Sequence, residues 1–276
     1  MSDERRLLIF TGVHGNVDRL EKTASAIQSI VSGPALHVIA DDFSPRRDGE
    51  RIAALAGTFD LPSGAQLERE VIHLRELGCR KAPNYSTGLL YAWELALADG
   101  AEALWVVESD VVPHAGAPGA FRQAHEAHSE VPAVIAPLFV ERGSTVIASF
   151  GGVDDWPEDG EDFAGLNVGS ELRERDAKTP AIASIPWAHL ACTWFPREVL
   201  DTQVRPDVDF PFYYLDHDLC DQIKAAGMEI LVTDRAVAEH TPGGSSSLRW
   251  PKEKTRDRVR EAAYEQLCAK WPHIRE

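Results

Sequence analysis

The sequence predicts an α/β fold in which a Rossmann-like mixed sheet is flanked by helices. Residues 7–10 and 36–40 are apolar runs typical of short buried strands, and residues 17–31 between them have apolar side chains at helical spacing. A strand, a helix and a second strand in close succession form a βαβ unit with a right-handed crossover. Such units bind ligands beyond the carboxyl ends of their strands, so we expect a site at that edge.

The third observation is the run Leu104–Val107, which we interpret as the central strand. Four apolar residues in succession, two of them β-branched, indicate a strand that is buried on both faces. The run stops at Glu108-Ser109-Asp110. Two strand ends that carry acids are therefore expected at the same edge of the sheet, because residues 41 and 42 after the second strand are also aspartates.

The remaining elements follow the same α/β pattern. We expect further helices at 50–56, 66–77, 89–98, 120–128, 196–200, 215–227 and 251–271, and further strands at 133–138, 146–150, 182–187, 228–232 and 236–240. The acid-rich residues 151–181 have little apolar periodicity and are predicted to be an insertion or flap. We divide the chain into a domain at 1–247 and a C-terminal helical extension at 248–276.

Composition and charge disfavour several classes of partner and site. The chain has 276 residues, with 44 acidic against 28 basic residues and a formal charge of −16, which disfavours a nucleic acid partner. Its four cysteines are far apart, so reduced thiols are expected rather than a disulfide framework or zinc site. The sequence has no long apolar run for a transmembrane segment and no signal-peptide pattern, so we expect a cytoplasmic protein.

Glu108 and Asp110 are the candidate metal ligands. In an extended segment, residues i and i+2 point to the same side and lie about 6–7 Å apart. Two carboxylates in that arrangement suit Mg²⁺ or Mn²⁺, which accept further oxygens from phosphates. The alternative is an acidic strand end that is merely solvated.

Other polar residues at the predicted edge suit a nucleotide. Asp41 and Asp42 could accept hydrogen bonds from a base and from ribose hydroxyls, or they could form an Asx turn. Asn84 and Lys81 precede a predicted helix, where backbone N–H groups bind anions; helix capping is the structural alternative for Asn84. The basic residues around Arg249 could face an anionic acceptor or could be a solvated helix end.

The segment Thr11-Gly12-Val13-His14-Gly15-Asn16 resembles the first metal-binding turn of calcineurin-type metallophosphatases. In those proteins an Asp begins an Asp-x-His-Gly-Asn turn, whereas Gly12 stands at that position here. A metal-dependent phosphohydrolase is therefore a minor alternative.

A longer series of motifs resembles family 2 glycosyltransferases of the GT-A fold, over roughly residues 7–240. The motifs, in order, are Thr11, Asp41-Asp42-Phe43-Ser44, Asn84-x-x-x-Gly88, Glu108-Ser109-Asp110, Asp216-x-Asp218-Leu219 and His240. Glu108 replaces the usual first Asp of the metal motif, and Leu215 stands where an acid often precedes Asp216. The resemblance covers most of the chain and depends on the order and spacing of the motifs.

The resemblance implies a metal-dependent and inverting glycosyltransferase. The donor would be a nucleotide-diphosphate sugar and the acceptor a hydroxyl of a glycan, a lipid-linked molecule or a small molecule. Asp216 would be the catalytic general base. Mn²⁺ or Mg²⁺ would bind Glu108, Asp110 and His240, and the nucleotide-binding residues would be Thr11, Asp41, Asp42, Lys81, Asn84 and Ser109. A catalytically silent sugar-nucleotide binding protein is the non-enzyme alternative.

Overall fold

The computed structural model describes residues 6–141, 143–150, 182–241 and 248–275. The predicted acidic insertion at 151–181 therefore lies outside the described residues. Within the described ranges, no helix has both the length and the apolar composition needed to cross a bilayer.

A mixed sheet of eleven strands forms the centre of the described structure. The strands are β1 Leu7–Val13, β2 Ala35–Asp41, β3 Gly57–Asp60, β4 Gln66–His73, β5 Ala103–Val107, β6 Val111–Pro113, β7 Ala133–Val140, β8 Ile147–Phe150, β9 Ile182–Ser184, β10 Cys192–Pro196 and β11 Glu229–His240. The main order is β3-β4-β2-β1-β5-β10-β7-β11-β6, while β8 pairs with β7 and β9 pairs with β11. β4, β2, β1 and β5 are mutually parallel, and β10 is antiparallel to β5.

Helices cover both faces of this sheet. They are α1 Val17–Ile30, α2 Arg46–Ala53, α3 Tyr85–Ala98, α4 Ala117–Ala127, α5 Arg197–Leu200, α6 Leu215–Ala225 and α7 Glu253–Lys270, with short 3-10 helices at Leu74–Leu77 and Pro272–Arg275. One hydrophobic core joins the sheet to α3 and α6, and a second joins its other face to α1 and α4. The predicted flanked sheet and C-terminal helix are confirmed.

The helix predicted at 66–77 is wrong, because residues 66–73 form strand β4. Leu67 and Arg69 are buried while Gln66 and Glu68 are exposed, which is the period-two alternation of a strand. β4 pairs with β2 on one side and with β3 on the other. Only the 3-10 turn Leu74–Leu77 is helical, and Gly78 ends it with a positive φ of 86°.

β11 is a single strand of twelve residues, whereas the sequence predicts two separate strands at 228–232 and 236–240. An irregularity in the pairing with β7 lies between Thr233 and Val237. Pairing resumes beyond it, so the strand continues to His240 at the carboxyl edge.

The C-terminal helix α7 contacts the body of the protein through its last turns. Leu267 and Cys268 are its buried residues, and the Lys270 Nζ lies 2.8 Å from an oxygen of the fully buried Asp218. Asp218 also accepts a hydrogen bond of 2.8 Å from Trp271 Nε1. Asp218 therefore anchors the C-terminal segment. The division of the chain at residue 247 stays a prediction.

Gly12 lies at the carboxyl end of β1, where the ring of Tyr85 from α3 covers it. A Cβ atom at this position would lie 2.5 Å from two ring carbons of Tyr85. Tyr85 also packs edge-on against Phe10, with ring centroids 5.5 Å apart. The close approach of α3 to β1 therefore requires glycine at this position.

We predict that Gly12→Ala lowers the free energy of unfolding by about 1–3 kcal/mol, because the added methyl group must displace the Tyr85 ring. Urea denaturation measures the change. Gly119→Ala in α4 is the matched control, since a Cβ there meets nothing within 4 Å. The control should be neutral or slightly stabilising. Equal effects of the two substitutions would contradict the packing argument.

Candidate functional site

Glu108 and Asp110 lie in a tight turn that connects β5 to β6. The Glu108 N–H donates to Ala191 O at 2.8 Å and so extends the pairing of β5 with β10 by one residue. The Val111 N–H then donates to Glu108 O at 3.1 Å, which closes the turn. The expectation of an extended Glu-x-Asp segment is therefore wrong in its geometry. The turn still brings both carboxylates to one place.

His240 reaches the same place from the other end of the chain. In the antiparallel pairing of β11 with β6, His240 lies opposite Val111, next to Asp110. The Thr241 N–H donates to Asp110 O at 3.3 Å. His240 Nε2 lies 3.8 Å from Asp110 Oδ1, and ligand atoms of Glu108, Asp110 and His240 all lie within 4.8 Å of one another. The structure therefore brings together the three predicted metal ligands.

One carboxylate oxygen of this cluster lacks a hydrogen-bond partner. Asp110 Oδ1 is buried and has no hydrogen-bond partner among the described residues, while Oδ2 lies 3.7 Å from the Arg19 guanidinium. A buried carboxylate oxygen without a partner is costly. A divalent cation between two carboxylates and an imidazole would satisfy it, so these residues fit the metal that the sequence predicts.

The protonation of the cluster also suits a cation. Burial, and next the charge of Asp110, raise the pKa of Glu108 to about 8. Burial likewise raises the pKa of Asp110, although Arg19 opposes this rise. Burial lowers the pKa of His240 to about 4, so its imidazole is neutral at pH 7 and available as a ligand. The cluster thus favours a bound proton or a bound cation over two bare carboxylates.

Asp41 and Asp42 lie at the end of β2 and are both buried. Asp41 accepts a hydrogen bond of 3.0 Å from the Ser44 N–H, and its other oxygen lies 2.8 Å from His73 Nδ1. The bond to Ser44 spans three residues, one more than in the Asx turn that the sequence left open, and it closes the loop after β2. Phe43, between them and Ser44, has a positive φ of 61°.

Asp42 is contacted from two sides. Its Oδ2 accepts a hydrogen bond of 2.9 Å from the Asn84 N–H and lies 2.5 Å from Arg249 Nη1. Asn84 Nδ2 lies 3.4 Å from Asp42 Oδ1. Asn84 precedes α3 without a side-chain capping bond, and its side-chain amide donates to the carbonyl oxygen of Lys81 as well as contacting Asp42. The structure therefore brings together Asp42 and Asn84, two of the predicted nucleotide-binding residues, and adds Arg249, which sequence reasoning did not place there.

The other predicted nucleotide-binding residues are Thr11, Ser109 and Lys81, and they differ in their exposure to solvent. Thr11 is fully buried, and its hydroxyl bonds to His37 Nε2 at 2.9 Å inside the sheet. Ser109 is buried, and its carbonyl oxygen accepts a bond of 3.2 Å from the Thr23 hydroxyl. Lys81 is exposed on the loop before Asn84. Of these three side chains, only that of Lys81 is open to solvent.

Asp216 lies in the first turn of α6, after Tyr214, whose φ is 63°. Its Oδ1 accepts bonds from the backbone N–H of His217 at 3.0 Å and from the ring Nδ1 of the same residue at 3.1 Å. Its Oδ2 lies 3.4 Å from Nδ1 of His189. Burial would raise the pKa of Asp216, but the bonds from the two imidazoles outweigh burial and hold the pKa well below its ordinary value.

Aromatic contacts connect Asp216 to the metal cluster. His217 stacks on Trp187, with ring centroids 4.3 Å apart, and Trp187 packs against His189 at 5.1 Å. His189 in turn packs edge-on against His240 at 6.2 Å. A continuous series of ring contacts therefore joins the surroundings of Asp216 to the metal cluster. Sequence reasoning missed His189 and His217, because a histidine before a strand or beside an acid has no distinctive pattern.

The metallophosphatase alternative loses its structural basis. Gly12 has no room for the carboxylate that such a turn needs. His14 uses Nδ1 to contact the carbonyl oxygen of Asp42 at 2.7 Å. The turn thus supports the loop after β2.

Comparison with protein-family models and with curated proteins finds no match. Among solved structures, the fold is similar to the crystal structure of GalNAc-T7 with UDP, GalNAc and Mn²⁺, with a TM-score of 0.53 and 15% identity over 87% of this chain. The matched part is 44% of that protein's chain. A197 from STIV also matches, with a TM-score of 0.46 and 14% identity over 86% of both chains.

The first of these similarities shows the fold. The chain has a GT-A-like fold, as the sequence predicts, with a mixed central sheet, flanking helices and a C-terminal helix. At 15% identity, fold similarity does not carry activity from one protein to the other. Membership of family 2 in particular stays a prediction.

We predict that Mn²⁺ binds more tightly as pH rises from about 6 to about 8. The metal-free cluster holds a proton below the raised pKa of Glu108, and Mn²⁺ must displace that proton. One displaced proton changes the dissociation constant by up to about tenfold per pH unit. Isothermal titration calorimetry across this range measures the slope.

Glu108→Gln is the matched variant, because it keeps the size of the side chain and removes its titration. Its Mn²⁺ affinity should be weaker and nearly independent of pH over the same range. A wild-type dissociation constant that does not change with pH would contradict the protonated cluster.

Proposed function

We propose that this chain is a metal-dependent glycosyltransferase that moves a sugar from a nucleotide-diphosphate donor to a hydroxyl acceptor, in the manner of the family 2 enzymes that its motifs resemble. The observation that carries the proposal is the cluster of Glu108, Asp110 and His240, with the unpartnered Asp110 Oδ1 at its centre. The GT-A-like fold supports it, because the cluster lies at the edge of the sheet where ligands bind.

In this proposal Glu108, Asp110 and His240 hold the metal. When bound there, a divalent cation would supply positive charge for the diphosphate, which leaves as the bond between the anomeric carbon and the diphosphate oxygen breaks. An imidazole beside two carboxylates suits Mn²⁺ better than Mg²⁺, which prefers oxygen ligands alone. Arg19, 3.7 Å from Asp110, adds positive charge at the side of the cluster.

The nucleoside would bind beyond β1 and β2. Asp42, with Asn84 beside it, is the proposed acceptor of hydrogen bonds from ribose hydroxyls or from the base. Asp41 holds the loop that carries Asp42, through its bonds to Ser44 and His73. Lys81 is the proposed phosphate contact on this side. Thr11 and Ser109, which are buried, would support the nucleotide from beneath.

Asp216 is the proposed general base. The acceptor hydroxyl would lose its proton to this carboxylate while its oxygen bonds to the anomeric carbon, opposite the departing diphosphate. His189 and His217 hold the carboxylate ionised and fix its orientation. A carboxylate with a lowered pKa is a weak base, so its contribution would depend on position and on the simultaneous departure of the diphosphate.

The direct test is a thermal-shift panel of UDP, GDP and dTDP and their sugars, each with and without Mn²⁺. The proposal expects stabilisation by at least one nucleotide that depends on Mn²⁺ and is lost in Asp110→Asn, followed by transfer or donor hydrolysis in an activity assay. Stabilisation without turnover would instead indicate a silent sugar-nucleotide binding protein. No Mn²⁺-dependent stabilisation by any nucleotide would contradict the proposal.

We predict that Asp216→Asn lowers turnover by about 10²–10⁴-fold, because the amide cannot accept the proton. Its affinity for the Mn²⁺–nucleotide complex should stay within about twofold, since no metal or nucleotide contact is removed. Steady-state kinetics and calorimetry measure the two effects. Asp209→Asn, on an exposed loop, is the matched control. Retained turnover in Asp216→Asn would assign the base to another residue.

A further inference from the structure

The start of the C-terminal extension crosses the proposed nucleoside site. Leu248 lies over the loop after β1, where its Cδ1 is 3.6 Å from the position that a Cβ on Gly15 would take. Trp250 packs face to face with Tyr213, with ring centroids 5.5 Å apart, and edge-on against Phe212 at 5.6 Å. We call residues 248–250 the crossing segment. It contacts the loops after β1 and β2 and the loop before α6.

Arg249 is the central residue of the crossing segment, and its side chain is turned inward. The side chains of Arg249 and Asp42 are only 4% and 2% exposed, and Arg249 Nη1 lies 2.5 Å from Asp42 Oδ2. The guanidinium also lies 5.0 Å from the centre of the Phe212 ring. Arg249 is thus a buried cation that occupies the carboxylate proposed for the nucleoside.

This ion pair is incompletely satisfied. Arg249 Nε is buried without a hydrogen-bond partner among the described residues. Burying a guanidinium with unused donors has a desolvation free energy that its interaction with one carboxylate does not fully offset. The ion pair therefore holds Arg249 in the site when no ligand is present. A ligand that makes more complete hydrogen bonds with Asp42 can replace the guanidinium.

We propose that Arg249 closes the nucleoside site in the unliganded protein, and that a nucleotide binds by replacing the guanidinium on Asp42. This inference rests on the proposed nucleotide-sugar site. The crossing segment would leave the loops after β1 and β2 as the nucleoside enters. Arg249 is thus a residue that regulates access.

The proposal has a thermodynamic consequence. A site that is open for only a fraction of the time has an apparent dissociation constant larger than the intrinsic one by the inverse of that fraction. Without the guanidinium, the Asp42 carboxylate keeps its contacts with Asn84 and is always available to hydrogen-bond donors of a ligand. Removing Arg249 should therefore strengthen nucleotide binding, although the same change weakens the unliganded fold.

The test compares the wild type, Arg249→Met and Arg258→Met by calorimetry with UDP and with GDP, each in the presence of Mn²⁺. Methionine keeps much of the apolar contact with Phe212 and removes the charge. Arg258, exposed on α7, is the matched control. We expect Arg249→Met to bind at least one nucleotide about tenfold more tightly than the wild type, or to bind one that the wild type does not, with Arg258→Met unchanged.

An unchanged or weaker affinity in Arg249→Met would overturn the inference and leave the proposed function standing, since the site would still bind nucleotide. Binding by none of the three proteins would overturn the inference and the proposed function together. Hydrogen–deuterium exchange of the wild type is a check that needs no variant. Exchange in a peptide covering residues 248–256 should rise on addition of Mn²⁺ and the bound nucleotide, and unchanged or slower exchange would contradict the displacement.

Discussion

The pairing of β11 with β6 is the constraint on which the candidate site depends. It places His240 opposite Val111 and so beside Asp110, although these residues are far apart in sequence. The turn between β5 and β6 adds Glu108 at the same place. A shift of one residue in this pairing would turn His240 to the other face of the sheet and dissolve the cluster. The long strand β11, continued past its irregularity, is therefore the structural basis of the proposed metal site.

The same edge of the sheet concentrates negative charge that needs partners. Asp42, Asp110 and Asp216 each lie near a cationic or imidazole side chain from another part of the chain. Asp216 has the most complete set of partners, and Asp110 has the least complete. The hydrogen bonds to Asp216 keep its carboxylate ionised and oriented, whereas Asp110 Oδ1, which has no hydrogen-bond partner among the described residues, can accept a cation. The two roles proposed for these residues follow from that contrast.

The sequence predicts the βαβ order and the buried central strand, because apolar runs are local signals. The acidic end of that strand indicates Glu108 and Asp110 as candidate metal ligands, while His240 is added only by the resemblance to family 2 glycosyltransferases. The sequence mistakes β4 for a helix, since Leu67 and Val71 are also compatible with helical spacing. It cannot find His189 and His217, whose bonds to Asp216 exist only after distant segments pack together. The sequence also does not predict the ion pair of Arg249 with Asp42, because the two residues are distant in sequence and meet only in the folded protein.

The most direct measurement of the central claim is the anomalous scattering of manganese in a crystal of the protein soaked with Mn²⁺ and a nucleoside diphosphate. The account predicts one strong peak within about 2.5 Å of Asp110 and His240, with Glu108 bound directly or through a water. A manganese peak elsewhere, with Asp110 Oδ1 still without a partner, would contradict the account.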